Sequence, residues 1–145
     1  RLTRMMNVNI VGSILCAREA VKRMSSKHGG TGGVIVNLSS VAATLGSPAQ
    51  YVDYAASKGA IDTFTVGLAR EVSAEGIRVN GIRPGLIDTE IHASDCEPDR
   101  AQRLAHMVPM KRVGTADEIA NAVVWLMSAE ASYVTGTIVD VSGGR

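Results

Sequence analysis

The segment Val34-Ile-Val-Asn-Leu38 decides the fold, because apolar and β-branched residues fill both of its alternating faces. Such a run is typical of a strand that is covered on both sides, as in a parallel sheet. Consecutive glycines within residues 28–33 precede the strand and predict a turn. Ser39-Ser40 follows it, where the chain leaves the strand. The segment therefore predicts a buried strand of an α/β domain.

Amphipathic helices are predicted on both sides of this strand. Upstream, apolar residues recur at steps of four and three from Ile10 to Met24, which predicts a helix that ends near Lys27. Downstream, a second apolar stripe predicts a helix over about 51–75, and Gly76 stands where a C-terminal cap is expected. Two long helices flanking one strand favour a layered α/β arrangement.

The remaining elements continue this alternation. Residues 77–83 predict a strand that Pro84-Gly85 terminates, and the order strand, helix, strand predicts a parallel crossover. Residues 88–109 are polar and weakly patterned, which predicts short helical pieces. Thr115-Ala-Asp-Glu118 has the pattern of a capping box and predicts the start of another helix. A last strand is predicted over 137–141.

Composition excludes several classes of function. The 145 residues are 46% apolar and 20% charged, and 15 Lys and Arg nearly balance 14 Asp and Glu, so no basic field exists for nucleic acid. The longest apolar runs fall far short of the roughly 18 residues that span a bilayer, which predicts a soluble protein. Cys16 and Cys96 cannot build a disulfide framework, and we expect a reducing, cytoplasmic location. Cys16 is predicted to be a small core residue. No spacing of the histidines predicts a metal site.

Tyr54 and Lys58 are four residues apart near the start of a predicted helix, so they are neighbours on one face. Lowering a phenol pKa by about 3 units from its usual value near 10 requires roughly 4 kcal/mol. One unit charge at about 4 Å supplies a contribution of that size at an effective dielectric near 20. The pair can therefore form a working acid/base, although a Tyr-Lys pair on a helix surface is the alternative when it is taken alone.

Two strand ends supply the context for this pair. Ser39-Ser40 and Pro84-Gly85 each follow a predicted parallel strand, and ligands bind outside the carboxyl ends of such strands. A serine hydroxyl there can hold a carbonyl or alcohol oxygen, and a glycine backbone lets a planar ligand approach closely. Simple turns are the alternative at both positions.

Together these segments resemble the short-chain dehydrogenase/reductase family. The resemblance runs over essentially the whole chain, and its motifs are Tyr54-x-x-x-Lys58, Asn37-Leu-Ser-Ser40 before it, Arg83-Pro-Gly-Leu-Ile-Asp-Thr89 after it, and Tyr133-Val-Thr-Gly136 near the end. It implies a Rossmann-like, doubly wound parallel sheet. It also implies an NAD- or NADP-dependent oxidoreductase that interconverts a secondary alcohol and a ketone by hydride transfer.

The resemblance assigns catalytic roles to four residues. Tyr54 is the expected acid/base, Ser40 positions and polarises the substrate oxygen, and Lys58 lowers the phenol pKa and binds the nicotinamide ribose. Asn9 matches the position that orders a water molecule near the lysine. Ser40 precedes Tyr54 by 14 positions, one more than is usual, so Ser39 is the alternative hydroxyl; Ser40 is preferred as the second of the pair.

The resemblance also assigns binding residues. Pro84, Gly85 and Ile87 are expected to line the nicotinamide, with Thr89 near its carboxamide and the phosphate. Residues 88–109 are expected to form the substrate-binding lobe, in which the candidate contacts are Ile91, His92 and Met107. A mobile cover is the alternative for this lobe.

One part of the family pattern is missing from the sequence. No glycine-rich strand-to-helix turn and no ribose-selecting residue occurs upstream of the first helix. Residues 1–145 are therefore interpreted as a single, partial domain, its C-terminal part, and the choice between NAD and NADP stays open. The family also implies a homodimer or homotetramer that acts on a small molecule. A catalytically silent cofactor-sensing or scaffold protein, or an inactive fragment, is the alternative function.

Overall fold

A computed structural model describes residues 1–89 and 100–145 of the chain. Its central feature is a parallel sheet in the order β1-β2-β5, and a separate parallel pair is formed by β3 and β4. The strands are β1 (Gly33–Leu38), β2 (Ile77–Pro84), β3 (Ile87–Asp88), β4 (Gly114–Thr115) and β5 (Ile138–Val141). The three strands predicted from the sequence are confirmed to within one residue at each end.

A long helical stretch precedes β1. It consists of α1 (Leu2–Met6), a π-helical segment (Asn7–Gly12) and α2 (Ser13–Met24), and a 3-10 turn, Ser26–His28, follows. The predicted helix is confirmed, but it begins earlier than its apolar stripe. The π-helical segment was not predicted. Within it the Ser13 hydroxyl donates to the Asn9 carbonyl at 2.9 Å, a side-chain hydrogen bond that competes with the regular helical ladder.

The other helices follow the sheet strands. The long helix α4 (Val52–Val72) continues into a 3-10 turn, Ser73–Glu75, and Gly76 ends it with a φ of 79°, which only glycine adopts without strain. The predicted capping box at Thr115 is confirmed. The remaining α-helices are α3 (Ala42–Leu45), α4 (Val52–Val72), α5 (Arg100–Leu104) and α6 (Ala116–Met127).

Helices cover both faces of the sheet. On one face Ala69 and Val72 of α4 pack against Ile77 and Val79 of β2, and Met24 of α2 adds to this cluster. Fully burying one such aliphatic side chain contributes roughly 1.5–3 kcal/mol. On the other face Arg78 donates to the carbonyls of residues 126 and 128 at the end of α6. The prediction of a doubly wound α/β sheet is confirmed.

The structure corrects the prediction for Cys16 and agrees with the prediction of short helical pieces within residues 88–109. Cys16 is exposed, because the buried residue of its helix is the neighbouring Ala17, about 100° around the helix axis. In the described part of residues 88–109, α5 and the 3-10 turn Ala105–Met107 are the predicted short helical pieces. No helix in the described ranges is long and apolar enough to cross a membrane.

Candidate active site

The carboxyl ends of β1 and β2 lie side by side and place two loops together. The Ser39 N–H donates to the Ile82 carbonyl at 2.8 Å, and the Val41 N–H donates to the Pro84 carbonyl at 3.1 Å. The chain leaving β1 is thereby fixed against the chain leaving β2. This edge is the one at which parallel sheets bind their ligands.

The two serines after β1 have different environments. Ser39 is 4% exposed, and its hydroxyl donates to the backbone carbonyl of Lys58 at 3.1 Å. Ser40 is half-buried; its hydroxyl oxygen accepts from the Ala42 N–H at 3.2 Å, and the hydroxyl lies close enough to the Tyr54 phenol to lower the pKa of that phenol. Ser39 therefore ties β1 to α4, whereas Ser40 presents its hydroxyl beside Tyr54.

Tyr54 and Lys58 lie one turn apart near the start of α4. The Lys58 ammonium lies over the Tyr54 ring, 5.7 Å from its centroid, and donates to the Leu38 carbonyl at 2.8 Å. Both side chains are half-buried. The structure thus brings together three of the residues that the sequence singled out: Ser40, Tyr54 and Lys58.

Burial dominates the electrostatics of this group. It raises the pKa of Tyr54 above the usual 10.0, and the hydrogen bond to Ser40 opposes this rise only in part. Burial also lowers the pKa of Lys58 below 10.5, while the negative charge of Asp62 raises it. The expected lowering of the Tyr54 pKa by Lys58 is absent from this arrangement, because the ammonium is held over the ring and against the Leu38 carbonyl.

Asn9 reaches this group from the π-helical segment. Its side-chain amide donates to the Ser57 hydroxyl at 3.0 Å, and that hydroxyl donates to the Tyr54 carbonyl at 2.7 Å. Ser57 is fully buried and adjacent to Lys58. Asn9 is therefore linked to α4 through the Ser57 hydroxyl, and its amide hydrogen bond is to neither the Tyr54 nor the Lys58 side chain.

The loop after β2 holds the residues expected to face a nicotinamide. The Gly85 N–H donates to the Val141 carbonyl at 3.0 Å. A Cβ on Gly85 would lie 2.7 Å from the Cα of Ser142, so the chain itself demands glycine here. The reason expected from the sequence, the close approach of a planar ligand, stays a prediction. Ile87 is half-buried in β3, and Thr89 is exposed.

The candidate substrate contacts are only partly described. Ile91 and His92 lie outside the described residues. Met107 ends a 3-10 turn and has an exposed side chain. A cavity of about 330 Å³ lies beside this region and is lined in part by Leu86, Ile87 and Met110.

Sequence reasoning missed a buried ion pair next to this group. Arg83 of β2 donates through Nε to Asp62 Oδ2 of α4 at 2.9 Å, and the two side chains are 18% and 12% exposed. The signal was present in the sequence, because Asp62 follows Lys58 by four residues and so lies on the same helix face as Tyr54 and Lys58.

Comparison with known proteins gives consistent matches. A family model described as enoyl-(acyl carrier protein) reductase matches residues 1–145. The uncharacterized oxidoreductase YgfF of Escherichia coli (strain K12) is 60% identical over 145 residues, which are 100% of this chain and 59% of that protein. The chain thus spans little more than half the length of this relative.

Solved structures agree with the sequence match. A 3-oxoacyl-[acyl-carrier protein] reductase with bound NAD from Brucella melitensis is 44% identical with a TM-score of 0.67, over 77% of this chain and 40% of that one. A blue fluorescent protein from a metagenomic library, in complex with NADPH, is 34% identical with a TM-score of 0.82, over 96% of this chain and 53% of that one. Motifs, fold and matches agree, and the chain belongs to the short-chain dehydrogenase/reductase family.

Proposed function

We propose that the protein containing this chain is an NAD- or NADP-dependent oxidoreductase that interconverts a secondary alcohol and a ketone. One observation carries the proposal: the Ser40 hydroxyl lies beside the Tyr54 phenol, and Lys58 lies over the tyrosine ring. These side chains meet at the carboxyl edge of the sheet, where one substrate oxygen can contact both hydroxyl groups. The relatives with bound NAD and NADPH support a nicotinamide cofactor.

Ser40 and Tyr54 handle the substrate oxygen in this proposal. When the ketone is reduced, its oxygen becomes an alkoxide, and Tyr54 donates the proton that converts it to the alcohol. Burial keeps the pKa of Tyr54 above 10.0, so the phenol carries its proton at neutral pH before the reaction. Ser40 donates a hydrogen bond to the same oxygen and thereby fixes it beside the phenol. In the oxidation direction the phenolate form of Tyr54 accepts the proton of the alcohol, and Ser40 again holds the substrate oxygen.

The side chains at this edge fit a nicotinamide nucleoside. When bound, that group supplies or accepts the hydride. Lys58 uses one of its three N–H bonds on the Leu38 carbonyl, so two remain for ribose hydroxyls. Pro84, Gly85 and Ile87 are the proposed lining for the nicotinamide ring, and Thr89 is the proposed contact to its carboxamide and the phosphate.

Tyr54→Phe tests the proposal in the full-length protein, meaning the complete translated product that contains these 145 residues. Nicotinamide absorbance is measured with both cofactors across a panel of sugars, steroids and acyl ketones. We expect loss of turnover by at least 10²-fold, the size of a general acid/base contribution, with cofactor affinity nearly intact. Tyr133→Phe is the matched control, because that tyrosine is fully exposed. Turnover retained in Tyr54→Phe contradicts the proposal.

Lys58→Ala separates the two roles proposed for the lysine. The variant loses the charge beside the phenol and the donors for the ribose, so both turnover and cofactor affinity should fall. Cofactor binding is measured by titration calorimetry and turnover by absorbance. A loss confined to either quantity argues against the double role. Cofactor binding by the wild type without any turnover supports the alternative, a cofactor-sensing protein.

We also propose that the protein is a homodimer or homotetramer. Exposed apolar side chains support this on the helical stretch before β1, where Val8, Val11 and Leu15 lie, and on α6, where Val124 and Met127 lie. Apolar patches of this kind mark surfaces that associate. Light scattering of the full-length protein tests it, and a monomer at micromolar concentration contradicts it. The cytoplasmic location stays a prediction.

A further inference from the structure

Three side chains of α4 that carry or can carry charge follow one another at four-residue intervals. Tyr54, Lys58 and Asp62 therefore lie along one helix face, each one turn beyond the last. This face leads from the Ser40 hydroxyl towards Arg83, the residue just before the Pro84-Gly85 loop. The phenol, the ammonium and the carboxylate form a continuous row beside the carboxyl edge of the sheet.

Asp62 is held in this row from the opposite side by β2. Its Oδ2 accepts from Arg83 Nε at 2.9 Å, in a contact where both side chains are largely buried. Its other oxygen, Oδ1, is buried and has no hydrogen-bond partner among the described residues. A buried carboxylate oxygen without a partner is unfavourable unless its charge acts on something nearby.

The row continues beyond Arg83 to the surface. Arg83 also contacts Asp140 of β5, with 3.3 Å between Nη1 and Oδ1, and the Asp140 side chain is 55% exposed. Charges thus alternate in the order Lys58, Asp62, Arg83, Asp140. Arg83 is thus shared between two carboxylates, of which Asp62 is the closer.

Burial opposes the positive charge of Lys58, and a nearby carboxylate offsets this effect. Lys58 is half-buried, and it contacts two groups that carry no formal charge, the Leu38 carbonyl of β1 and the Tyr54 ring. The π-helical segment contributes Asn9, which is uncharged and bonded to Ser57. Among the charged groups of the described residues, Asp62 is the one whose field acts on Lys58, and Arg83 of β2 lies behind it.

We propose that Asp62 is a positioning residue, whose negative charge favours the ammonium form of Lys58 at the candidate active site, while the positive charge of Arg83 on the far side of the carboxylate acts in the opposite direction. The inference rests on the proposed function and deepens it, because Lys58 is there the proposed donor to the ribose hydroxyls, and its ammonium form has all three N–H donors. A pair that only filled space between α4 and β2 would be equally well served by apolar side chains.

The test measures the ionisation of Lys58 directly. Full-length protein is labelled with ¹³C-lysine, the Lys58 signal is assigned with Lys58→Arg, and its titration is followed by NMR. In Asp62→Asn we expect Lys58 to lose its proton at a pH lower by about one pH unit, because the opposite charge nearest to it is removed. Glu71→Gln is the matched control, since Glu71 is an exposed carboxylate on the same helix, and it should leave the titration unchanged.

Two further variants separate the effect from a loss of folding. Arg83→Met removes a positive charge, so Lys58 should titrate at the same pH or a higher one, the opposite direction to Asp62→Asn. The double variant Asp62→Asn with Arg83→Met leaves no unpaired buried charge and should fold even where the single variant does not. In the double variant Lys58 should still lose its proton at a lower pH than it does in the wild type.

The outcomes separate this inference from the proposed function. The inference is overturned if Lys58 titrates in Asp62→Asn, or in the double variant, as it does in the wild type. The inference is also overturned if Arg83→Met lowers the pH at which Lys58 loses its proton, as Asp62→Asn is expected to do. The proposed function fails instead if Tyr54→Phe retains turnover, whatever Lys58 does. Where turnover is found, the alkaline limb of kcat/KM should move to lower pH in Asp62→Asn and stay in place in Glu71→Gln.

Discussion

The side-chain amide of Asn9 donates a 3.0 Å hydrogen bond to the Ser57 hydroxyl, which joins the π-helical segment to α4 between Tyr54 and Lys58. Asn9→Ala should destabilise the fold by about 1 kcal/mol, because it leaves a buried hydroxyl with one partner fewer. Urea unfolding measures the change. Asn7→Ala is the matched control, since Asn7 lies in the same segment and is exposed. Equal stability of the two variants would show that the contact contributes nothing.

Tyr54 should lose its proton at a higher pH than an ordinary tyrosine does. Burial raises its pKa above 10.0 in the fold, whereas the unfolded chain has the usual value. Its contribution to stability is therefore fully present below pH 10 and is lost as the pH rises through the folded pKa. Absorbance at 295 nm of wild type minus Tyr54→Phe should show a phenol that titrates above pH 10. A difference curve centred below that pH contradicts the environment described for Tyr54.

Much of the fold follows from local sequence patterns. The β-branched run from Val34 and the pattern of residues 77–83 gave strands whose observed ends differ by one residue at most. The capping box at Thr115 was predicted correctly, because both of its hydrogen bonds are made within four residues. These signals depend on neighbours in the chain, which a sequence displays directly.

The rest depends on contacts between distant residues. The two-residue strands β3 and β4 pair Ile87 with Gly114, across 27 positions of sequence that no periodicity relates. A Cβ at Gly114 would lie only 2.8 Å from the Ile87 side chain, so the absence of a side chain permits this close approach. The Asp62–Arg83 pair joins a helix to a strand in the same way. The spacing of Tyr54 and Lys58 predicted their proximity. It did not predict that burial would set the direction of the Tyr54 pKa.

Glu75 should make stability sensitive to acid. Its carboxylate accepts from Lys27 Nζ at 2.5 Å and from the buried Ser25 hydroxyl, which ties the turn after α4 to the end of α2. These hydrogen bonds lower the pKa of Glu75 below the usual 4.5. The stabilisation is present above pH 4.5 and is lost as the pH falls through the folded pKa. Urea unfolding between pH 3 and 7 should show a weaker pH dependence in Glu75→Gln. Glu71→Gln, on the exposed face of α4, should keep the wild-type dependence.

Gly85 and Gly67 should respond to alanine in opposite directions. A Cβ at Gly85 would lie 2.7 Å from the Ser142 Cα, and backbone cannot move aside as a flexible side chain does, so Gly85→Ala should destabilise the fold by about 1–3 kcal/mol. A Cβ at Gly67 meets nothing within 4 Å, and Gly67 lies inside α4. Gly67→Ala should therefore stabilise the helix by roughly 0.5–1 kcal/mol. Thermal unfolding of both variants measures the two effects.

Because the Pro84-Gly85 loop is the proposed nicotinamide lining, Gly85→Ala should also weaken cofactor binding, while Gly67→Ala should leave cofactor binding unchanged. Equal midpoints for the two variants would mean that the loop after β2 is not pressed against Ser142.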